Sequence, residues 1–323
     1  MSACILESGN ARDDAFHVHA GSYLERTARQ RIAALLDERS FTEILPPSER
    51  HVSPHLPMLG QPVALDDGVV IGEGRLGGAP VLIAAQEPAF MGGSVGEVHG
   101  AKIVGLLQRA AEGVANACPA GVLLLLDTGG VRLHEANAGL TAISEIQRAV
   151  FDARAAGVPV IVLIGGGNGC YGGLGIVSKC CDYVIVSEEG RLAVSGPEVI
   201  EAAHGVEEFD ARDRALVWRT MGGKHRYILG DADDIVPDDI AAFRSAAQRR
   251  LGHPRPLSLE AVEREHAMLQ QRLQRFADCR DATQIWSALG IAEPQRVPLM
   301  DIDAFTEIAD AAREKGRGEN NHA

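Results

Sequence analysis

Apolar residues fall along this chain in two kinds of run. GVLLLLDT (121–128) and VPVIVLIG (158–165) are short and unbroken, the pattern of strands buried on both faces. GEVHGAKIVGLLQRAAEGVANA (96–117) and AGLTAISEIQRAVFDARAAG (138–157) place their apolar residues at helical spacing. VVIGEGRLGGAPVLIAA (69–85) predicts two strands around a Gly-Gly turn. GGLGIVSKCC (172–181) predicts a short helix of small residues, and DYVIVSEEGRLAVSGP (182–197) a strand pair. Apolar strands alternating with amphipathic helices predict an α/β fold with a largely parallel sheet.

Ahead of this core, YLERTARQRIAALL (23–36) predicts a helical arm that the prolines of SFTEILPPSERHVSPHLP bring to an end. Beyond about residue 200 the strand pattern stops, and 207–221, 238–251 and 258–276 predict helices. The expected organisation is a loose leader over 1–20, a core over 21–205, a helical region of the same domain over 206–310 and a disordered tail over 311–323.

Composition supports that picture. Aromatics make up only 4% of 323 residues while glycines number 36, which suits tight packing of helices on a sheet. A formal charge of −13 argues against nucleic acid or an anionic membrane as partner. One basic group stands out: Arg212, Arg214, Arg219, Lys224, His225 and Arg226. It reads either as solvated helix charges or as an anion-binding face. The six cysteines contain no C-x-x-C, so a zinc ribbon is not expected and no metal ligands are assigned; Cys180 and Cys181 are expected as buried thiols. The first 20 residues hold no hydrophobic signal-like stretch, and no apolar run reaches membrane-spanning length, so the expected compartment is the cytoplasm.

The candidate chemistry lies in three glycine-rich junctions that follow strands: MGGSVG, DTGGVR and GGGNGCYGG. Gly92-Gly93-Ser94-Val95-Gly96 fits the G-x-S-x-G elbow of serine hydrolases. That elbow joins strand directly to helix, whereas eight residues including Pro88 separate Ala85 from Ser94 here, and His99 falls inside the helix that follows. Gly167 to Gly172 fits G-x-G-x-x-G, with Glu188 and Glu189 near the required acid, but its helix is short and it lies mid-chain. Taken together, the junctions offer close backbone approach and unpaired N–H groups at helix starts, the ingredients of an oxyanion hole. Simple tight packing is the competing reading.

FMGGSVGEVHGAKI strongly resembles a segment of the carboxyltransferase β subunits of acyl-CoA carboxylases. DTGGVRLHE resembles their SGGARMQE segment, and GCYGGLGIVSKCCDYVIVSEEGRLAVSGPEVIE and ARQRIAALLDERSFTEI are similar to further stretches in the same order. The resemblance spans roughly residues 25–205 and implies the crotonase superfamily fold, a spiral of ββα repeats. Departures sharpen it: the zinc ribbon is absent, Val131 and Leu133 replace Ala and Met, and no AMKM-like biotinylation site occurs. Within the family these features resemble the β subunits of biotin-independent malonate decarboxylases.

That resemblance implies decarboxylation of a malonyl thioester to the acetyl thioester and CO2. The substrate would sit on the phosphopantetheine-type arm of an acyl carrier protein, or on coenzyme A, with no covalently bound cofactor. It implies a heterodimer with a related γ subunit, which is a candidate source of the enolate's proton. Backbone donors for the enolate oxygen are expected among Gly130, Val131, Gly172 and Gly173. Gly92, Gly93 and Ser94 are expected to position the thioester, with Arg132, His134 and Tyr171 as further substrate contacts. Arg212, Arg214, Arg219, Lys224 and Arg226 are expected to receive the carrier arm. The alternatives are a biotin-linked carboxyltransferase subunit, a crotonase-like hydratase or isomerase, and a non-catalytic scaffold.

Overall fold

The computed structural model describes residues 21–60, 68–113 and 118–320; the expected leader over 1–20 lies outside them. Seven strands form one sheet in chain order: β1 (Thr42–Ile44), β2 (Val69–Leu76), β3 (Ala79–Gln86), β4 (Gly121–Leu125), β5 (Val160–Ile164), β6 (Tyr183–Ser187) and β7 (Asp234–Val236). β1, β2 and β3 pair antiparallel, and every pairing from β3 to β7 is parallel. The connecting helices are α2 (Glu97–Glu112) after β3, α3 (Ala138–Ala155) after β4, α4 (Gly173–Cys180) after β5 and α5 (Pro197–His204) after β6.

The unbroken apolar runs are explained by two cores. Val122 and Leu124 of β4 enter the cluster under α2 and α3, while Leu123 and Leu125 enter the opposite one. β5 alternates the same way, with Val160, Val162 and Ile164 on one side and Ile161 and Leu163 on the other. Period-two side chains on a sheet covered twice give this result. The second core is roofed by α1 (Ala28–Leu35), whose Ile32 and Leu35 are fully buried, and by Phe243 of α8 (Ile240–Arg250). A capping box between Thr27 and Gln30 opens α1.

Each of β3, β4, β5 and β6 is followed by a second short extended segment. Val95 pairs with Val131, Thr128 with Cys170, and Cys170 with Leu192, all parallel. Strand, short segment and helix repeat four times, which is the expected crotonase-like spiral.

Three differences from the sequence reading stand out. The stretch 182–197 yields one strand and a bridge at Leu192 instead of a strand pair, because Gly190 turns the chain away from the sheet. The region 206–310 contributes β7 to the sheet, so strands do not stop near residue 200. It otherwise folds as α6 (Arg214–Met221), α7 (Gly223–Ile228), α8, α9 (Leu259–Arg275) and α10 (Ala282–Ala288). The expected tail is helical through Asn320, as α11 (Ile302–Asn320), anchored by Phe305, Ala309 and Ala312 in the first core.

Candidate active site at the glycine junctions

The three glycine loops leave the ends of β3, β4 and β5, and short backbone bonds draw them together. Gly129 N–H donates to the Gly92 carbonyl at 3.0 Å and Val95 N–H to that of Gly130 at 2.9 Å. Thr128 N–H donates to Gly169 at 2.7 Å, and Tyr171 N–H returns a bond to Thr128 at 3.1 Å. Two positions demand glycine. At Gly93, φ is +66° and a Cβ would fall on the Asp127 carbonyl oxygen. At Gly172, φ is +67° and a Cβ would lie 3.2 Å from Gly130 Cα. The second and third loops therefore touch, glycine to glycine.

Accounting for N–H groups at this contact separates the four expected donors. Gly130 N–H is spent on Thr128 Oγ1 at 3.1 Å, and Gly172 N–H on the Val194 carbonyl at 2.9 Å. The acceptors are Thr128, two residues back in the same loop, and Val194 from the segment after β6. Val131 and Gly173 N–H have no acceptor among the described residues, and each lies one residue beyond a touching glycine. Gly173 opens α4, so its N–H lacks an intrahelical partner and carries the positive end of the helix dipole. N–H groups left without an acceptor at such a junction can stabilise an oxygen that gains negative charge.

The remaining expectations fare unevenly. Ser94 Oγ donates to the Met91 carbonyl at 2.7 Å and so closes its own turn. Arg132 is turned inward: it is buried, pairs with Glu135 at 3.2 Å and lies over the Phe90 ring. Glu135 in turn accepts from Glu97 N–H at 2.6 Å, fastening the start of α2 to the second loop. His134 remains partly exposed, 3.9 Å from Glu135. Tyr171 is buried against Phe209, Val217 and Met221; its hydroxyl has no partner among the described residues and burial raises its pKa.

The basic group does not form one face. Arg219 pairs with Asp281 at 3.1 Å and Arg226 with Asp231 at 3.0 Å. Lys224 is buried, pairs with Glu188 at 3.0 Å and lies over Phe305. His225 is buried and its Nδ1 accepts from Trp286 Nε1 at 3.1 Å. Only Arg212 and Arg214 stay exposed.

A buried polar network behind the loops was not foreseen. Asp127 and Arg31, both 0% exposed, pair at 2.9 Å. Asp127 also accepts from Asn168 N–H at 2.8 Å, and its own N–H donates to Gln86 Oε1 at 2.9 Å. Gln86 Nε2 donates to the Gly93 carbonyl at 3.0 Å. One network thus ties α1 to all three loops. Burial raises the Asp127 pKa, against the opposing pull of Arg31. The signals in sequence were small: a glutamine ending VLIAAQ, an aspartate ending LLLLD, and an arginine on the buried stripe of α1.

Elements framing the junction leave large apolar side chains in solvent. Leu133 is 86% exposed, and Leu140, Ile176, Val194 and Val199 are exposed as well. Exposed apolar groups near a site mark a surface suited to a partner.

Residues 23–249 match the carboxyl transferase domain family. The chain is 40% identical to the malonyl-S-ACP:biotin-protein carboxyltransferase of Malonomonas rubra over 312 residues, which is 91% of this chain and 96% of that protein. Among solved structures it resembles a chain of a Pseudomonas malonate decarboxylase hetero-tetramer in complex with malonate, at 44% identity and a TM-score of 0.72 over 81% of this chain and 94% of that one. A chain of a Pseudomonas malonate decarboxylase hetero-dimer matches at 40% identity and a TM-score of 0.63, over 78% and 96% of the two chains.

Proposed function

The chain belongs to the carboxyl transferase domain family, and on that footing we propose that it is the β subunit of a malonate decarboxylase. It would act on a malonyl thioester carried by an acyl carrier protein. The C–C bond to the carboxylate breaks and CO2 leaves. The electron pair moves onto the α-carbon and thioester oxygen, and protonation of that carbon gives the acetyl thioester. Only interactions that strengthen as the oxygen gains charge accelerate this step. The observation that carries the reading is the pair of unspent N–H groups at Val131 and Gly173, set by two glycines in contact.

No covalent nucleophile is needed, which accords with Ser94 bonding within its own turn. A related γ subunit would cover the junction; the exposed Leu133, Ile176 and Val194 support this. Malonyl or malonate stands in the names of the relatives from both organisms, and the match extends over nearly their whole length.

A second reading has its own support. The Malonomonas relative passes its carboxyl group to a biotin protein, and the same enolate would form on that route. The two readings differ in where the CO2 goes. The test is CO2 release from a malonyl carrier-protein thioester by this chain with its related subunit, in the presence of avidin. Avidin-insensitive release with equimolar acetyl thioester is expected. Release abolished by avidin would replace the decarboxylase with the biotin-linked carboxyltransferase.

A further inference from the structure

Beside the third glycine loop lies a cavity of about 500 Å³ that the reaction above does not use. Gly167 of the loop forms part of its wall. Arg191, Arg212 and Arg214 line it together with Trp218, Glu189 and Glu198. These three arginines come from three places: the turn after β6, the segment before α6, and the first residue of α6.

Their pairing state sets them apart. Arg219, Arg226, Arg250 and Arg272 each hold a carboxylate. Arg191, Arg212 and Arg214 hold none at ion-pair distance among the described residues, although two glutamates share their cavity. Arg191 donates from Nη2 to the Gly167 carbonyl, which fixes its guanidinium against the loop, and its buried Nε has no partner. In a chain of net charge −13, three unpaired guanidiniums around one cavity are a local excess that attracts an anion. Guanidinium forks match phosphate oxygens in particular. Trp218, 39% exposed, offers a flat aromatic wall on which a planar group can stack.

The acids modulate this site without cancelling it. Glu189 is half-buried, its Oε2 has no partner among the described residues, and burial raises its pKa. Glu198 sits in the first turn of α5, where the helix dipole compensates its charge.

We infer that this cavity binds a phosphate or diphosphate ester: Arg191, Arg212 and Arg214 hold the phosphate oxygens, and Trp218 stacks a planar group beside them. Choosing a coenzyme A-type arm as the natural ligand rests on the function proposed above. The recognition of phosphate by these residues does not. The site is smaller than the basic surface expected from the sequence, and it adds Arg191 and Trp218, which no charge count singled out.

The experiment is equilibrium binding to the full chain of three probes: inorganic pyrophosphate, coenzyme A and ADP. Arg212→Ser/Arg214→Ser is compared with Arg264→Ser/Arg280→Ser, which removes equal charge elsewhere. Loss of two charge-assisted contacts should weaken pyrophosphate and coenzyme A by about tenfold or more in the first variant. The second variant should bind as wild type, and Trp218→Phe should weaken coenzyme A but not pyrophosphate. Coenzyme A binding more tightly than ADP identifies the thioester arm as the source, whereas equal binding identifies a free nucleotide. Wild-type affinity in the first variant, equal weakening in both, or no pyrophosphate binding at millimolar concentration overturns the inference. Because no turnover is read, pyrophosphate binding without malonyl-thioester decarboxylation would remove the proposed function and leave this site standing.

Discussion

Ser94 shows how a residue can satisfy a motif and still be used for something else. Its hydroxyl donates to the Met91 carbonyl, as expected of a serine closing a turn. Ser94→Ala should therefore keep CO2 release within about fivefold of wild type, the scale of one modest hydrogen bond. A loss of several orders of magnitude would make it a nucleophile. The glycines of the three loops were legible because steric freedom belongs to the residue itself. Which N–H groups remain available was harder to read: Thr128 Oγ1 takes that of Gly130 from two residues away, but the Val194 carbonyl reaches Gly172 only in the folded chain. Arg132 has its partner Glu135 three residues away in sequence, but the burial of the pair is tertiary and no local pattern encodes it.

Elements were legible in proportion to the length of their apolar pattern. β4 and β5 announce themselves through five consecutive buried residues each. β7 has three residues, and its place beside β6 comes from a parallel pairing of Ile185 with Asp234 that no local pattern encodes. The packing of the C-terminal helices makes a pH prediction. His225 of α7 meets Trp286 of α10, and burial lowers its pKa to about 3. The unfolded chain titrates this group near 6.5, so between those values the unfolded state binds the extra proton. The contribution of neutral His225 to stability is complete above pH 6.5 and declines as pH falls toward 3, by about 1.4 kcal/mol per pH unit. Urea unfolding of wild type and His225→Gln across pH 7.5 to 5 should show the wild type losing stability faster over the acidic part. Parallel curves would place His225 outside this effect.

At the scale of the whole molecule, the spiral brings glycine loops together through backbone hydrogen bonds between residues 35 to 43 apart in sequence. The alternation of strands and helices made the sheet predictable, and the ordered segments made the family recognisable. The distribution of charge was harder to read. Lys224, Arg219 and Arg226 lie close to Arg212 in sequence, yet Glu188, Asp281 and Asp231 turn them into internal ties. Residues beyond 206 do more than coat the core: Trp286, Val297 and Phe305 belong to it. No described helix is long and apolar enough to cross a membrane.

We propose that the contact of Gly130 with Gly172 sets two backbone donors for an enolate oxygen. It is tested most directly by the rate of CO2 release from a malonyl thioester by the assembled complex carrying Gly172→Ala. The added methyl meets Gly130 and sits at a positive φ that alanine resists, so the loop contact must shift by a few tenths of an ångström. A fall in kcat of about 10²–10³, with the complex still assembled and its circular dichroism unchanged, is the predicted result. A folded, assembled variant that releases CO2 at the wild-type rate would contradict it.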